Sequence, residues 1–203
     1  MPTRPTIALD ADGVLLDFHH GYADAWHRAF GERPQQRDPH AYWPYDRWEV
    51  ERLQGDRLRH FGRHFDLHFW SNLPPLPGAV EACHRLRDEG GFDLVCVSAL
   101  DSEYEQARLG NLRALGFPIE RVIATGHHTG PRSPKADAVA SLSPVAFVDD
   151  FLPYFRGLPS HVHAALILRE PNGSPNQGDE LALAHSTHLN LAAFANRWLA
   201  GAS

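Results

Sequence analysis

Apolar positions in this chain come in two textures, which meet near residue 75. Short, nearly continuous apolar runs occupy 7–9, 92–97, 122–124, 145–148 and 163–168. They lack polar alternation, so they predict parallel strands covered on both faces rather than strands with one wet face. Between them the spacing becomes helical. Residues 79–89 put Val80, Cys83 and Leu86 on one side and stop at Gly90-Gly91; residues 101–115 form another helix, and a short one begins near Lys135. The run 163–168 is expected to be the last strand, 172–179 a polar turn or loop, and 181–199 a closing helix in which Trp198 packs. Strands alternating with helices in this way predict an open, mainly parallel α/β sheet.

The other texture fills residues 18–73. From Phe18 to about Pro75 only Val50 is β-branched, while Trp26, Trp43, Trp48 and Trp70 are four of the five tryptophans. Half of the histidines lie there too. Such a segment makes sheet poorly, but it can make helices packed through aromatic rings. Tyr22, Trp26 and Phe30 recur every four residues and so share one helical face. A second helix is expected over 46–65, with Trp48, Leu53, Leu58, Phe61 and Phe65 as its apolar stripe, although Gly55 and Gly62 weaken it. Residues 33–45, with Pro34, Pro39 and Pro44, read as loop. The expected organisation is a core of 1–17 and 74–203, interrupted after its first strand by a helical module of 18–73.

A length of 203 residues suits one α/β domain with an insertion better than two independent domains. Nineteen basic against 25 acidic residues, a net charge of -6, give no general attraction to a nucleic-acid polymer. A local phosphate site needs only a few well-placed cations. Cys83 and Cys96 form neither a disulfide framework nor a CxxC pair, and Cys96 sits inside an apolar run as core packing. No charged leader with a long apolar stretch opens the sequence, and no run is long enough to span a bilayer. The expectation is a cytoplasmic protein in a reducing setting, with no membrane partner.

The residues that end the apolar runs change this picture most. Ile7-Ala8-Leu9 runs into Asp10-Ala11-Asp12-Gly13, and 145–148 into Asp149-Asp150. Open α/β sheets bind ligands beyond the carboxyl ends of their strands, where Asp10, Ser98 and Asp149 all fall. Crowded carboxylates raise one another's pKa unless a cation shares the site. Mg²⁺ takes oxygen ligands and tolerates retained water, and Asp10 and Asp149 could hold such an ion between them. One carboxylate of the first doublet could attack a phosphoryl group while its neighbour protonates the leaving oxygen and later activates water. The doublet could equally be a turn at Asp12-Gly13 with Asp10 as its side-chain cap. Lys135 supplies the positive group that several acids and a phosphate need, though a lysine at a helix start is also ordinary. Ser98 can donate to a phosphoryl oxygen from its strand end, or cap the helix that follows. His127 and His128, within the 126–130 loop, lack a third spaced ligand for zinc; they border a phosphate entrance or simply form a polar loop.

On these motifs the chain resembles the haloacid dehalogenase-like (HAD) hydrolase superfamily. Asp10-Ala11-Asp12, continuing as Gly13-Val14-Leu15-Leu16-Asp17, matches the DxD of the first motif. Val95-Cys96-Val97-Ser98 matches the second, Lys135 the third and Val148-Asp149-Asp150 the fourth. Pro75-Leu76-Pro77-Gly78-Ala79 resembles the return from a small cap into the core. Order and separation are kept from about Thr6 to Leu168. The resemblance implies a Rossmann-like core with a small α-helical cap, Asp10 as the nucleophile that forms an aspartyl-phosphate, and Asp12 as general acid/base. Mg²⁺ would be held by Asp10, the backbone carbonyl of Asp12 and Asp149, with Asp150 as a ligand or as support behind them. Ser98 and Lys135 would hold the transferring phosphoryl group, and Lys135 would also pair with Asp10. Members that dehalogenate carbon generally lack the second acid and need no metal, so Asp12 favours phosphoryl transfer. Ala99 is a departure: many phosphatases have glycine or asparagine there, and a further contact to phosphate is expected to differ.

The resemblance also implies that the insertion covers the strand ends and selects the substrate. Candidate contacts in it are His19, His20, Tyr42, Trp43, Tyr45 and Trp48, although most rings in a helical module must build its own core. Aromatic density permits stacking on a base or sugar, as in some deoxynucleotidase relatives. The leading expectation is a Mg²⁺-dependent phosphomonoester hydrolase of a small phosphorylated metabolite, a nucleotide or a sugar phosphate. Two other readings stay open: a phosphomutase using the same acids, and a regulatory or binding protein on a degenerate core.

Overall fold

The first apolar run becomes β1 (Thr6–Leu9), which lies inside a six-stranded parallel sheet. The other strands are β2 (Asp93–Ser98), β3 (Arg121–Ala124), β4 (Ala146–Asp149), β5 (His163–Ile167) and β6 (Ser186–His188). Their spatial order is β3-β2-β1-β4-β5-β6, in a computed structural model that describes residues 4–128 and 130–201. Thr129 of the 126–130 loop and the outermost ends of the expected core lie outside the described residues. The chain walks outward from β1 to β3, then returns across β1 to start again at β4. Strand order therefore reverses between β1 and β4, which is where open sheets leave a crevice for ligand. Leu9 pairs with Val148 across that line, so Asp10 and Asp149 emerge side by side.

After β1 the chain leaves the sheet and makes α1 (Phe18–Phe30), α2 (Pro44–Arg47), α3 (Gly55–Gly62) and α4 (Leu67–Ser71). Asp17 starts α1 by accepting from the His20 N–H at 3.0 Å, and Asp66 starts α4 through the Phe69 N–H at 3.0 Å. The four-residue ring spacing in α1 does face one way: Tyr22 and Trp26 centroids lie 6.4 Å apart, Trp26 and Phe30 4.6 Å. Phe61 of α3 closes this cluster at 5.0 Å from Tyr22 and 5.3 Å from Trp26. The outgoing and returning chains are tied together. The Asp17 N–H donates to Pro74 O at 2.8 Å, and the Leu76 N–H to Leu15 O at 2.9 Å.

The remaining helices sandwich the sheet. Alternate residues of each strand go to opposite faces. Ile7, Leu9, Leu94, Cys96, Ala146 and Val148 pack against α5 (Ala79–Asp88), α6 (Glu105–Ala114) and α8 (Leu191–Gly201). Ala8, Val95, Val97 and Phe147 pack on the other side against Val139 of α7 (Ala136–Leu142), with Leu152 and Phe155. Both cysteines are buried thiols. Among the described residues no helix is long and apolar enough to cross a membrane.

Two expected elements differ. The helix expected over 46–65 is broken, because Trp48 and Gln54 are extended, and a new helix starts only at Gly55, whose φ of +53° does not continue the one before it. Trp48 gains a hydrogen bond in exchange: its buried indole N–H donates to His19 O at 3.0 Å. The closing helix expected over 181–199 starts only at Leu191. Residues 186–188 instead extend the sheet beyond the strand expected to be last, with the His185 N–H bonded to Ala164 O and the Leu168 N–H to His188 O, each at 2.8 Å. Pairing to the open edge of β5 outweighs weak helical propensity in His185-Ser186-Thr187-His188, where Thr187 is β-branched.

Candidate active site

Asp10 remains part of the sheet through its backbone, the N–H donating to Val148 O at 2.8 Å. Its side chain meets Lys135, which immediately precedes α7 and is wholly buried. The ammonium donates to Asp10 Oδ1 at 2.5 Å and to Asp149 Oδ2 at 2.7 Å. Burial opposes the charge on Lys135, but the two carboxylates outweigh it and hold the group protonated well above the ordinary lysine range. Asp149 is pushed up by burial and pulled back by Lys135. Its other oxygen accepts from the Phe151 N–H at 2.9 Å.

Asp150, the residue after β4, meets Arg169, just beyond β5, whose Nε and Nη2 lie 3.1 and 2.9 Å from Asp150 Oδ2. Gly13 makes this packing feasible. Its φ is +89°, and a Cβ there would come within 2.2 Å of Asp150 Oδ2. The turn after Asp12 is thus glycine because of what lies beneath it.

Asp12 is held separately. Arg108 of α6 donates from Nη2 to Asp12 Oδ2 at 2.9 Å. Burial pushes the Asp12 carboxyl up to about 6, Arg108 draws it down, and Asp10 raises it further. A carboxyl near that value exchanges protons close to neutrality, as acid/base work requires. Ser98, the last residue of β2, is buried and its hydroxyl has no hydrogen-bond partner among the described residues. It does not cap the helical segment after it, whose first turn is preceded by Asp101. An unpaired buried hydroxyl is costly unless a ligand completes it.

The carboxylate oxygens of Asp10, Asp149 and Asp150 come within 4.8 Å of one another. With Asp12 these are four acids, directly faced by three cations: Lys135, Arg108 and Arg169. An all-oxygen donor set with residual negative charge fits a hard divalent cation.

Above these groups lies a cavity of about 900 Å³. Asp10, Asp12 and Asp150 are on its wall, together with Ala99, His127 and His128 from the core. Of the expected insertion contacts, His19, Tyr42 and Trp43 line it, whereas His20, Tyr45 and Trp48 do not. His20 is exposed and bonded to Asp17, Tyr45 stacks behind Trp43 at 5.9 Å, and Trp48 is buried on His19 O. Tyr42 reaches down to the core, its hydroxyl donating to Asp150 O at 3.2 Å. Trp70, Tyr104, Tyr154, Arg169 and, behind the wall, Arg108 also build the site. No motif marks them. Arg108 and Asn111 do carry a signal, as polar residues three apart beside Leu109 and Leu112 on the inward face of a helix.

A parallel α/β sheet with a cluster of acids and a buried lysine at its switch point is the setting of this site. The family model of haloacid dehalogenase-like hydrolases matches residues 5–152, and the chain belongs to that family. Its fold is shared by a HAD family hydrolase from Deinococcus radiodurans R1, solved with bound phosphate and sodium. That match has a TM-score of 0.63 at 17% identity and covers 98% of this chain and 96% of the other. The L-2-haloacid dehalogenase from Xanthobacter autotrophicus, with chloropropionic acid covalently bound, gives a TM-score of 0.62 at 14% identity over 99% and 100% of the two chains. At such identities the likeness is one of fold. A protein of Bordetella pertussis named "Putative 5'(3')-deoxyribonucleotidase" is 34% identical over 96 residues, 46% of this chain and 50% of that one. The match spans about half the length of the curated relatives.

Proposed function

We propose that this hydrolase cleaves phosphomonoesters with Mg²⁺, through an aspartyl-phosphate on Asp10. The observation that carries this reading is the second acid: Asp12 faces the cavity two residues after Asp10, with its own arginine and a pKa raised to about 6. Asp10 would attack phosphorus as the bond to the leaving oxygen breaks, and the proton on Asp12 would pass to that oxygen. A water, deprotonated by Asp12, would then attack the same phosphorus, free Asp10 and release inorganic phosphate. Ser98 would donate to a phosphoryl oxygen from the strand end, and Lys135 would balance its charge while fixing Asp10. Asp10, Asp149, Asp150 and the backbone carbonyl of Asp12 would hold the Mg²⁺, which, when bound, orients phosphate oxygens and offsets their charge.

A nucleoside monophosphate is the substrate subclass we favour. Rings of Tyr42, Trp43, Trp70, Tyr104 and Phe151 line the cavity, with room for a base and sugar above the acids. The name of the Bordetella relatives points the same way. The test is release of inorganic phosphate from deoxynucleotides, ribonucleotides and sugar phosphates with Mg²⁺ and with chelator. Phosphate release from nucleotides that ends on chelation is the expected result. An isomeric phosphate ester with little free phosphate would make the protein a mutase, and full activity in metal-free protein would remove the Mg²⁺ assignment.

A further inference from the structure

Arg108 lies outside all four motifs, yet it is among the largest wholly buried side chains in the protein. Its Nη2 is 2.9 Å from each oxygen of Asp12, while Nε and Nη1 have no hydrogen-bond partner among the described residues. The guanidinium carbon sits 5.0 Å from the ring centroid of Trp70, which comes from α4 of the insertion. Trp70 and Asp12 line the cavity and Arg108 does not, so the guanidinium stands behind them. Burying an arginine with two unmet donor nitrogens is unfavourable, and packing alone does not require a charged residue there. What it does contact is the side chain next to the chemistry.

Placement explains why one cation is not enough. Asp10 and Asp12 are two residues apart and would compete for Lys135 if it were alone. Lys135 approaches from the α7 face of the sheet and takes Asp10 together with Asp149. Arg108 approaches from the α6 face and takes Asp12. The nucleophile and its neighbouring acid are thereby fixed by separate cations from separate layers.

We infer that Arg108 is a positioning residue for Asp12, aiming its carboxyl at the leaving-group oxygen, and that Trp70 of the insertion keeps the contact dry. This inference rests on the phosphomonoester reading above. Removing Arg108 lets Asp12 swing towards Lys135. The loss then falls on the step in which Asp12 gives its proton to the departing oxygen, and it grows with the basicity of that oxygen. Acyl and nitrophenyl leaving groups need that proton least.

The experiment compares first-turnover rates of the full chain with Mg²⁺ on an alkyl phosphate, p-nitrophenyl phosphate and acetyl phosphate. Arg108→Met should lose about 10²-fold on the alkyl ester, the scale of a misplacement of about 1 Å. The KM should be nearly unchanged, and acetyl phosphate should lose less than about threefold, as the proton is hardly needed there. Arg108→Lys should recover part of the alkyl-ester loss, and Trp70→Leu should show the same leaving-group trend more weakly. If Arg108→Met does not fold, the Lys and Leu variants carry the test. Equal loss across all three substrates in a folded variant, or no loss, overturns the positioning role while leaving phosphomonoester hydrolysis in place. A wild type inert on all three substrates overturns the phosphomonoester reading itself, and this inference with it.

Discussion

Asp10, Ser98 and Asp149 stand at the ends of neighbouring strands whose register is set by backbone pairing, Leu9 lying opposite both Cys96 and Val148. Tyr42, Trp43 and Trp70 reach the same cavity from a segment of short helices. That segment is tied to the core through side chains, Tyr42 to Asp150 O, Arg47 to Glu170 at 3.2 Å and Asn111 to Leu73 O at 3.1 Å, and through a single backbone bridge, where the Tyr42 N–H donates to Asn172 O at 2.9 Å and the Asn172 N–H to His40 O at 3.0 Å. The floor of the site is therefore fixed by the sheet, and its roof by a few scattered contacts outside the sheet. Reactions need charges placed to within a fraction of an ångström, whereas ring surfaces tolerate displacement. Substitutions in the floor should stop turnover, and substitutions in the roof should redirect it.

Asp10→Asn is the most severe way to test the floor. The amide is a poor nucleophile and a weaker partner for Lys135, so turnover should fall by at least about 10³-fold, beyond the loss of one oriented electrostatic contact. The variant should stay folded by circular dichroism. Near-parental turnover in the folded variant would end the nucleophile assignment. Lys135→Met attacks the same floor through stability. It leaves Asp10 and Asp149 buried without their shared cation, which should cost about 3–5 kcal/mol in urea unfolding without added metal. Adding Mg²⁺ should return part of that loss if the acids bind it. An unchanged unfolding midpoint would show that the ion pairs are not holding the strand ends.

The same contrast governs what could be read from the chain. The floor was legible because Asp10, Ser98 and Asp149 end apolar strands or follow them directly, parallel strands in one sheet must bring such ends together, and Lys135 supplies the cation that their charge calls for. Asp10, Asp149 and Asp150 lie together with Lys135 between the first two, Asp12 shares the cavity wall with Asp10, and Ser98 ends the neighbouring strand β2. The roof was legible only as aromatic helices. Which rings face inwards depends on breaks set by tertiary contact, such as the extended Trp48 bonded to His19 O, which moves it out of a helix and away from the cavity. Arg169, after a strand, is ordinary until its partner is seen, and the one trace of Arg108 is its place beside Leu109 and Leu112 on the inward face of α6. The edge strand 186–188 was hidden for the same reason, since its hydrogen bonds belong to β5.

Trp43→Leu should sharpen the roof side. The indole lines the cavity, stacks on Tyr45 with planes 4° apart, and meets Phe151 of the core at 6.4 Å. Loss of one stacking platform costs about 1–3 kcal/mol per base. We therefore expect kcat/KM for nucleotides to drop about tenfold or more relative to a sugar phosphate, with Mg²⁺ dependence unchanged. Parallel loss on both substrate classes, or a shifted Mg²⁺ requirement, would show that roof and floor are not separable in this way.

The smallest effect concerns the joint between the two regions. His19 is buried in the insertion, with neither ring nitrogen hydrogen-bonded among the described residues, and lies 4.0 Å from Glu170. Burial first, then Arg169 and Arg47, push its pKa down to about 3 from the usual 6.5. Between those values the unfolded chain binds a proton at this residue and the folded chain does not. Stability must then fall as pH drops from 6.5 towards 3, by up to about 1.4 kcal/mol per pH unit for one proton. Asp12 acts in the opposite sense, since its raised pKa makes the folded state the better proton binder between about 4 and 6. Comparing variants removes that background. His19→Phe keeps a ring and abolishes the titration, so its urea midpoint should decline less steeply than the wild type's between pH 6.5 and 4.5. Identical slopes would mean that His19 takes up its proton without leaving the folded state, and that the joint between roof and floor opens more readily than its burial indicates.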